Sequence, residues 1–288
     1  MKEKNELSKK WESLTFANNF LFCKIMESEP ELCRQLLELL LHIRIEKLQA
    51  VQAEKTGMEG MDSKSVRFDV YTLDDKRVFD IEIQTSAKKN LPKRARYYQS
   101  IMDILNLSHG EDYRNLKESY VIFLCLEDIF KKSLPVYCFE NICREDQDIK
   151  LGDGTCKVFF NAKDCDKMEN SEERCFFEFL KGQKAQTDFT RKLEEHVNLA
   201  KRNVMWRNQY MTWQQSIDEE VEIAVEEAVE KAVEEAVEKA VKETVIETTR
   251  KTTEEVSVNT ARKLLKNGVK PQLVAECTGI PLEKVLSL

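Results

Sequence analysis

The chain has 288 residues, 45 Lys and Arg against 52 Asp and Glu, and a formal net charge of −7, a length that suffices for one sizeable core plus an appendage or for two small domains. Spread evenly, that acid excess would argue against a nucleic-acid partner; residues 218–256, however, hold 14 acids and 5 bases, while the rest holds 38 acids and 40 bases, so no such partner is excluded. Nine scattered cysteines without a CxxC pair, and three distant histidines, exclude the usual disulfide and zinc frameworks.

The opening segment, MKEKNELSKK, is charged and has no apolar leader core. The longest apolar run, around Leu36–Ile45, is interrupted by Glu38, His42 and Arg44 and is too short to span a bilayer. No membrane partner, a cytoplasmic setting and reduced thiols are therefore expected. Residues 5–55 read as helices. The first carries Trp11, Leu14, Phe16, Phe20, Phe22, Ile25 and Met26, and a second, from about Glu31 to Ala53, begins just after Pro30, a residue suited to a first helical turn. Residues 54–64, with Gly57 and Gly60, read as a loop.

The next stretch, Val66 to Gln84 (VRFDVYTLDDKRVFDIEIQ), organises the chain. Apolar and polar residues alternate twice around Asp74-Asp75-Lys76, the signature of two strands joined by a turn. Alternation sets Val66, Phe68 and Val70 on one face and Arg67, Asp69 and Tyr71 on the other; on the second strand it sets Asp80, Glu82 and Gln84 together. Aspartate, and to a lesser degree glutamate, is depleted in strands. A solvated outer face is one explanation of these acids; a metal site built of carboxylates is the other.

Residues 85–91 form a polar link. A helix follows from about Pro92 to Leu107, with Lys93, Arg94, Arg96, Tyr97 and Tyr98 crowded at its start and Gly110 near its end. Tyr120–Leu126 is a continuous apolar run of buried-strand length, and Leu134–Phe139 and Lys157–Asn161 are shorter strand candidates. Residues 172–213 return to helix, with a break near Gly182 and a terminal cluster of Trp206, Tyr210 and Trp213 that anchors the helix to a core.

Residues 217–256 are of low complexity, with Val at every fourth position from 221 to 245. At about 100° per residue, a period of four drifts about 40° per step, so this stripe winds around the helix and is no heptad seam. A long exposed helix, weak self-association and a specific coiled-coil oligomer all remain open. Residues 257–288 change to helix, turn, helix with five bases and two acids, which suits either a DNA groove or a docking cap.

In the right register the Asp69 and Glu82 carboxylates come close, and without a counter-charge at least one pKa rises. Hard oxygen donors without Cys or His favour Mg²⁺ (or Mn²⁺), which combines one or two carboxylates with water and phosphate. The basic helix start at Lys93–Arg96 suits a DNA backbone or, equally, a solvated helix end.

Asp followed on the next strand by Glu-x-Lys is the PD-(D/E)xK nuclease pattern. FDIEIQ, with Glu-x-Gln, resembles the recombination-promoting nuclease (Rpn) and putative transposase family. TFANNFLFCKIM, the hairpin, LPKRARYYQSIMD, YVIFLCLEDIF and CFENICREDQDIKLGDGTCKVFFN are similar to that family's successive motifs, over roughly residues 11–213. The resemblance implies a Mg²⁺-dependent DNA endonuclease tied to recombination, mobile elements or defence. Asp69 and Glu82 match the metal ligands. Gln84 stands at the position of the superfamily Lys, where it can orient water, and Lys93, Arg94 and Tyr98 are the implied DNA contacts. Asn19 stands where the family commonly has Asp. The two departures, Asn19 and Gln84, keep a second reading open: a catalytically weak or inactive DNA-binding or self-associating protein on a nuclease fold.

The expected architecture is α/β, a PD-(D/E)xK-like mixed sheet flanked by helices over residues 1–215, then a charged helix over 216–256 and a small helical tail over 257–288. The expected partners are DNA and a second copy of the chain through the C-terminal helix.

Overall fold

A computed structural model describes residues 2–57, 66–86 and 90–288. It has the expected α/β architecture, a six-stranded mixed sheet flanked by helices and followed by a long helix and a short helical tail. The chain divides into two compact units, Met1–Thr212 and Trp213–Leu288.

In the first unit, α1 (Lys2–Ser13), α2 (Asn19–Ser28) and α3 (Pro30–Leu41) precede the sheet. The first expected helix is thus two helices. Asn18 closes a turn on the Thr15 carbonyl and then caps α2, its side chain accepting the Leu21 N–H. The second expected helix ends at Leu41 and not near Ala53, because His42 adopts a left-handed φ of 53° and turns its N–H back to the Glu38 carbonyl. A strand, β1 (Val51–Gly57), takes the place of the expected helix end and the start of the expected loop. The remainder of that loop, and residues 87–89 of the next polar link, lie outside the described residues.

The sheet continues with β2 (Val66–Leu73), β3 (Arg77–Gln84), β4 (Glu118–Cys125), β5 (Val136–Phe139) and β6 (Thr155–Asn161), in the order β1-β2-β3-β4-β6-β5. β2 and β3 form the expected antiparallel hairpin. Asp74 fixes its turn: one carboxylate oxygen accepts the N–H groups of Lys76 and Arg77, and the other pairs with the Arg77 guanidinium. β3, β4 and β6 run parallel in the centre of the sheet, where both faces must be covered. On one face α4 (Leu91–Asn106) packs Leu91, Ala95, Tyr98 and Met102 against Val121, Phe123 and Phe159. Alternation turns Phe160 to the opposite face, where it stacks on Phe177 of α5 (Ser171–Leu180).

One expected alternation fails. Phe68 and Tyr71 share the core on the α4 side, although three residues apart in a strand they should face opposite ways. The pairing of β1 with β2 skips the position of Glu54 and Asp69, and Glu54 has a φ of +52°. A local kink in both strands therefore switches faces at Asp69, a departure that residue spacing could not announce.

After Gly182 come α6 (Asp188–Arg202) and α7 (Val204–Lys266). Tyr210 anchors the start of α7, its ring 5.3 Å from that of Trp11 and 5.5 Å from that of Phe20. Tyr210 and Trp11 are fully buried, and burial of such a side chain contributes roughly 1.5–3 kcal/mol.

In the second unit, α7 continues to Lys266 and is followed by α8 (Pro271–Thr278) and α9 (Leu282–Leu286). The valines at every fourth position from 221 to 245 are all 55–57% exposed, so among the described residues nothing covers this stripe. A small core of Ala261, Val274, Ile280 and Val285 holds the tail together. Among the described residues, no helix is long and apolar enough to cross a membrane.

Candidate active site

The hairpin ladder runs from Leu73↔Val78 to Val70↔Ile81 and stops there. At the next position the two strands exchange side chains for backbone. The Asp69 N–H donates to Glu82 Oε1 at 2.9 Å, and the Ile83 N–H donates to Asp69 Oδ2 at 3.1 Å. The strands thus part at the pair of acids singled out from sequence, and each carboxylate stands in for a missing carbonyl acceptor. The kink at Asp69 brings its side chain between the strands.

Other elements complete the surroundings. Asn19, at the start of α2, donates its Nδ2–H to Asp69 Oδ1 at 2.9 Å. Cys23, one turn later on α2, lies 2.9 Å from Asn19 Oδ1 and 3.1 Å from the Asp69 carbonyl oxygen. From the opposite face, α4 sends Arg94 into the cluster. Its guanidinium pairs with Glu82 Oε2, donates to Gln84 Oε1 at 3.0 Å and donates to the Tyr98 hydroxyl at 2.8 Å. The charge also lies over the rings of Tyr98 (4.9 Å) and Phe123 (5.7 Å), a further source of attraction.

Asp69, Glu82, Gln84, Arg94 and Tyr98 therefore form one connected group. The positions named as DNA contacts separate: Lys93 is exposed, Arg94 is partly buried on Glu82, and Tyr98 is buried. Sequence reasoning noted Asp80 on the polar face of β3 but gave it no role. Asp80 is fully buried, and among the described residues neither carboxylate oxygen has a hydrogen-bond partner. Cys23 reads from sequence only as an apolar helix residue; its spacing of four from Asn19 on a helix was the available signal.

The electrostatics follow from burial of several acids around one cation. Burial and the neighbouring Asp69 push Glu82 up to about 8, against the opposing pull of Arg94. Burial, with Glu82 and Asp69 beside it, drives Asp80 well above the carboxylate range and favours its protonated form. Burial also raises Asp69, although the Asn19 amide, the Ile83 N–H and Arg94 counteract it. Burial raises the Cys23 thiol strongly, so it stays neutral and unreactive.

Among the described residues, no three His, Cys, Asp or Glu side chains are arranged as a ready-made metal cage. The chemistry of the donors nonetheless suits a hard divalent cation. All are oxygens, Asp80 has orphaned buried oxygens, and a carboxylate oxygen that accepts one hydrogen bond keeps a second lone pair. Arg94 supplies the positive charge that such a cation would bring, and it occupies Glu82 Oε2.

A family model described as PD-(D/E)XK nuclease family transposase matches residues 16–240. No curated protein and no solved structure matches the chain.

Proposed function

The chain belongs to the PD-(D/E)XK nuclease family of transposases, and on that premise we propose that it is a metal-dependent endonuclease that hydrolyses DNA phosphodiester bonds, within the recombination-promoting (Rpn-like) branch of the family. The observation that carries this reading is the parting of β2 and β3 at Asp69 and Glu82, which brings two buried carboxylates, Gln84 and Arg94 into one hydrogen-bonded group.

Asp69 and Glu82 would hold Mg²⁺ or Mn²⁺; the bound ion lowers the pKa of water and stabilises charge on the scissile phosphate. Gln84, two residues beyond Glu82 on the same face, orients the attacking water through its amide. Arg94 exchanges Glu82 for a substrate phosphate oxygen, for which its planar fork is suited. Tyr98 holds the Arg94 Nε and sets the direction of that fork. Lys93, exposed at the start of α4, adds a phosphate contact. Residues 1–215 constitute the nuclease region, 216–256 a charged helix and 257–288 an accessory tail. The nine free cysteines fit a reducing cytoplasmic setting.

Plasmid cleavage with Mg²⁺, with Mn²⁺ and with EDTA tests the proposal. The parent should cut only with metal. Asp69→Ala and Glu82→Ala cutting as fast as the parent would show that the site is elsewhere.

A second reading, DNA binding without cleavage, is favoured by two specific observations: Asn19 donates to Asp69 where the family commonly has an acid, and Arg94 already pairs with Glu82. Metal-independent DNA binding with no nicking under any metal would decide for it. Self-association through α7 is a separate matter, settled by light scattering on the chain with and without residues 217–256.

A further inference from the structure

Beside the acid cluster, on the same face of the sheet, lies a groove of about 490 Å³. Its floor is Phe159, and its wall is Phe130 and Phe139, whose rings stand nearly perpendicular to it at 5.2 and 5.8 Å. Arg96 of α4 and Lys157 of β6 line the groove as well, and among the described residues neither has an ion-pair partner within salt-bridge distance. The acid on its rim, Glu140, is paired with Lys150 at 2.6 Å. Asp103 lies close enough to feel the Lys157 charge, which opposes the upward shift that burial gives its carboxyl. The groove therefore combines aromatic surface with two cations that make no direct ion pair among the described residues.

Phe139 decides the character of this groove. It is 44% exposed on the edge strand β5, a large apolar ring that the fold leaves partly uncovered. The sheet register then links the groove to the acids. Glu82 pairs with Phe123, and Phe123 pairs with Phe159, its ring stacked on the Phe159 ring at 5.1 Å. Glu82 and the groove floor thus share one row of the sheet, two strand spacings or roughly 10 Å apart. Arg94 and Arg96, two residues apart on α4, serve the acid cluster and the groove respectively.

We propose that this groove receives an unpaired nucleobase flanking the bond to be cut, stacked on Phe139, with Arg96 and Lys157 on the adjoining phosphates. This makes the substrate single-stranded or locally opened DNA. Bases in an intact duplex are stacked inside the helix and cannot present a face to a protein ring. An aromatic platform beside cations is the arrangement that tracks single strands without reading sequence. The inference rests on the DNA-cleavage reading above and specifies its substrate.

The test is fluorescence anisotropy in EDTA with a labelled oligothymidylate and a labelled hairpin duplex, using the full chain. Phe139→Ala should weaken single-strand binding roughly tenfold, the size of one lost base-stacking contact, and leave duplex binding unchanged. Phe139→Trp should restore it, with additional quenching of protein fluorescence on single-strand binding. Lys157→Ala should lower affinity and reduce its salt dependence. Equal losses on both probes, or no loss in Phe139→Ala, would overturn the inference. The two levels fail differently. Binding that depends on Phe139 without metal-dependent cutting removes catalysis alone; cutting that ignores Phe139 removes the groove alone; a parent chain that binds neither probe removes both.

Discussion

Asp69 and Glu82 each hold the other's strand: Glu82 Oε1 accepts the Asp69 N–H at 2.9 Å, and Asp69 Oδ2 accepts the Ile83 N–H at 3.1 Å. Two strands that would otherwise continue to pair are kept apart by the side chains proposed to do the chemistry. Structural and catalytic roles therefore reside in the same atoms, and the choice of substitution must separate them.

Glu82→Gln and Asp69→Asn are the informative pair. Each keeps a carbonyl oxygen able to accept a backbone N–H while removing the charge a divalent ion needs. Both should fold, and both should lose more cleavage than the roughly 10- to 100-fold typical of outer-sphere changes at metal sites. Glu82→Ala should in addition destabilise the fold by about 1–3 kcal/mol, because it leaves the Asp69 N–H without its acceptor. Plasmid-nicking rates beside urea melts measure the two effects. Full activity in Glu82→Gln would contradict the proposed ligand role.

The metal-free protein should become less stable as pH rises. Glu82 is raised to about 8 from an ordinary value of 4.5, and Asp69 and Asp80 are raised in the same direction. A carboxyl raised in the fold contributes stability that is fully present below its unfolded value and lost as pH climbs through its folded value. In EDTA, the Tm should fall between about pH 5 and 8. Glu82→Gln should flatten that fall, and Mg²⁺ should recover part of it at the alkaline end. A Tm independent of pH across this window would refute the coupling.

Arg94 competes with any cation for Glu82. In Arg94→Ala, Mn²⁺ should bind more tightly in the absence of DNA, as measured by calorimetry, while DNA affinity falls. Arg94→Lys should rescue charge but not geometry, since a single ammonium cannot reach Glu82, Gln84 and Tyr98 together. Weaker Mn²⁺ binding in Arg94→Ala would mean that the guanidinium organises the acids and does not compete with the ion.

Asn19→Asp would replace a donor to Asp69 with another acid. Without metal it should cost about 1–3 kcal/mol, from one lost hydrogen bond and new repulsion. With Mn²⁺ the same change should tighten binding and raise the cleavage rate. A variant that is destabilised but gains no metal affinity would show that position 19 lies outside the ion's reach.

The hairpin was legible because alternation over residues 66–71 and 79–84, on either side of Asp74-Asp75-Lys76, leaves little choice of structure. Gly182 and the Tyr210 anchor were legible for similarly local reasons. β1 was not, because VQAEKTG alternates only over its first four residues and carries no apolar run, and its partner strand kinks opposite Glu54. The turn before Asn19 was hidden by Leu14 and Phe16, which continue the apolar pattern across it. At the site, spacing brought Asp69 toward Glu82 but could not aim Arg94. A side chain with that reach serves a phosphate or a carboxylate equally well from the same helix, and only packing against Phe123 and Tyr98 directs it inward.

The parted hairpin also supplies its own reporters. Two peptide N–H groups, those of Asp69 and Ile83, end on carboxylate oxygens and not on carbonyls. Their amide proton resonances will register a change in protonation or ligation of those oxygens before any bond is cut. Amide spectra of the resting protein can thus follow the state of the acids directly, without substrate and without turnover.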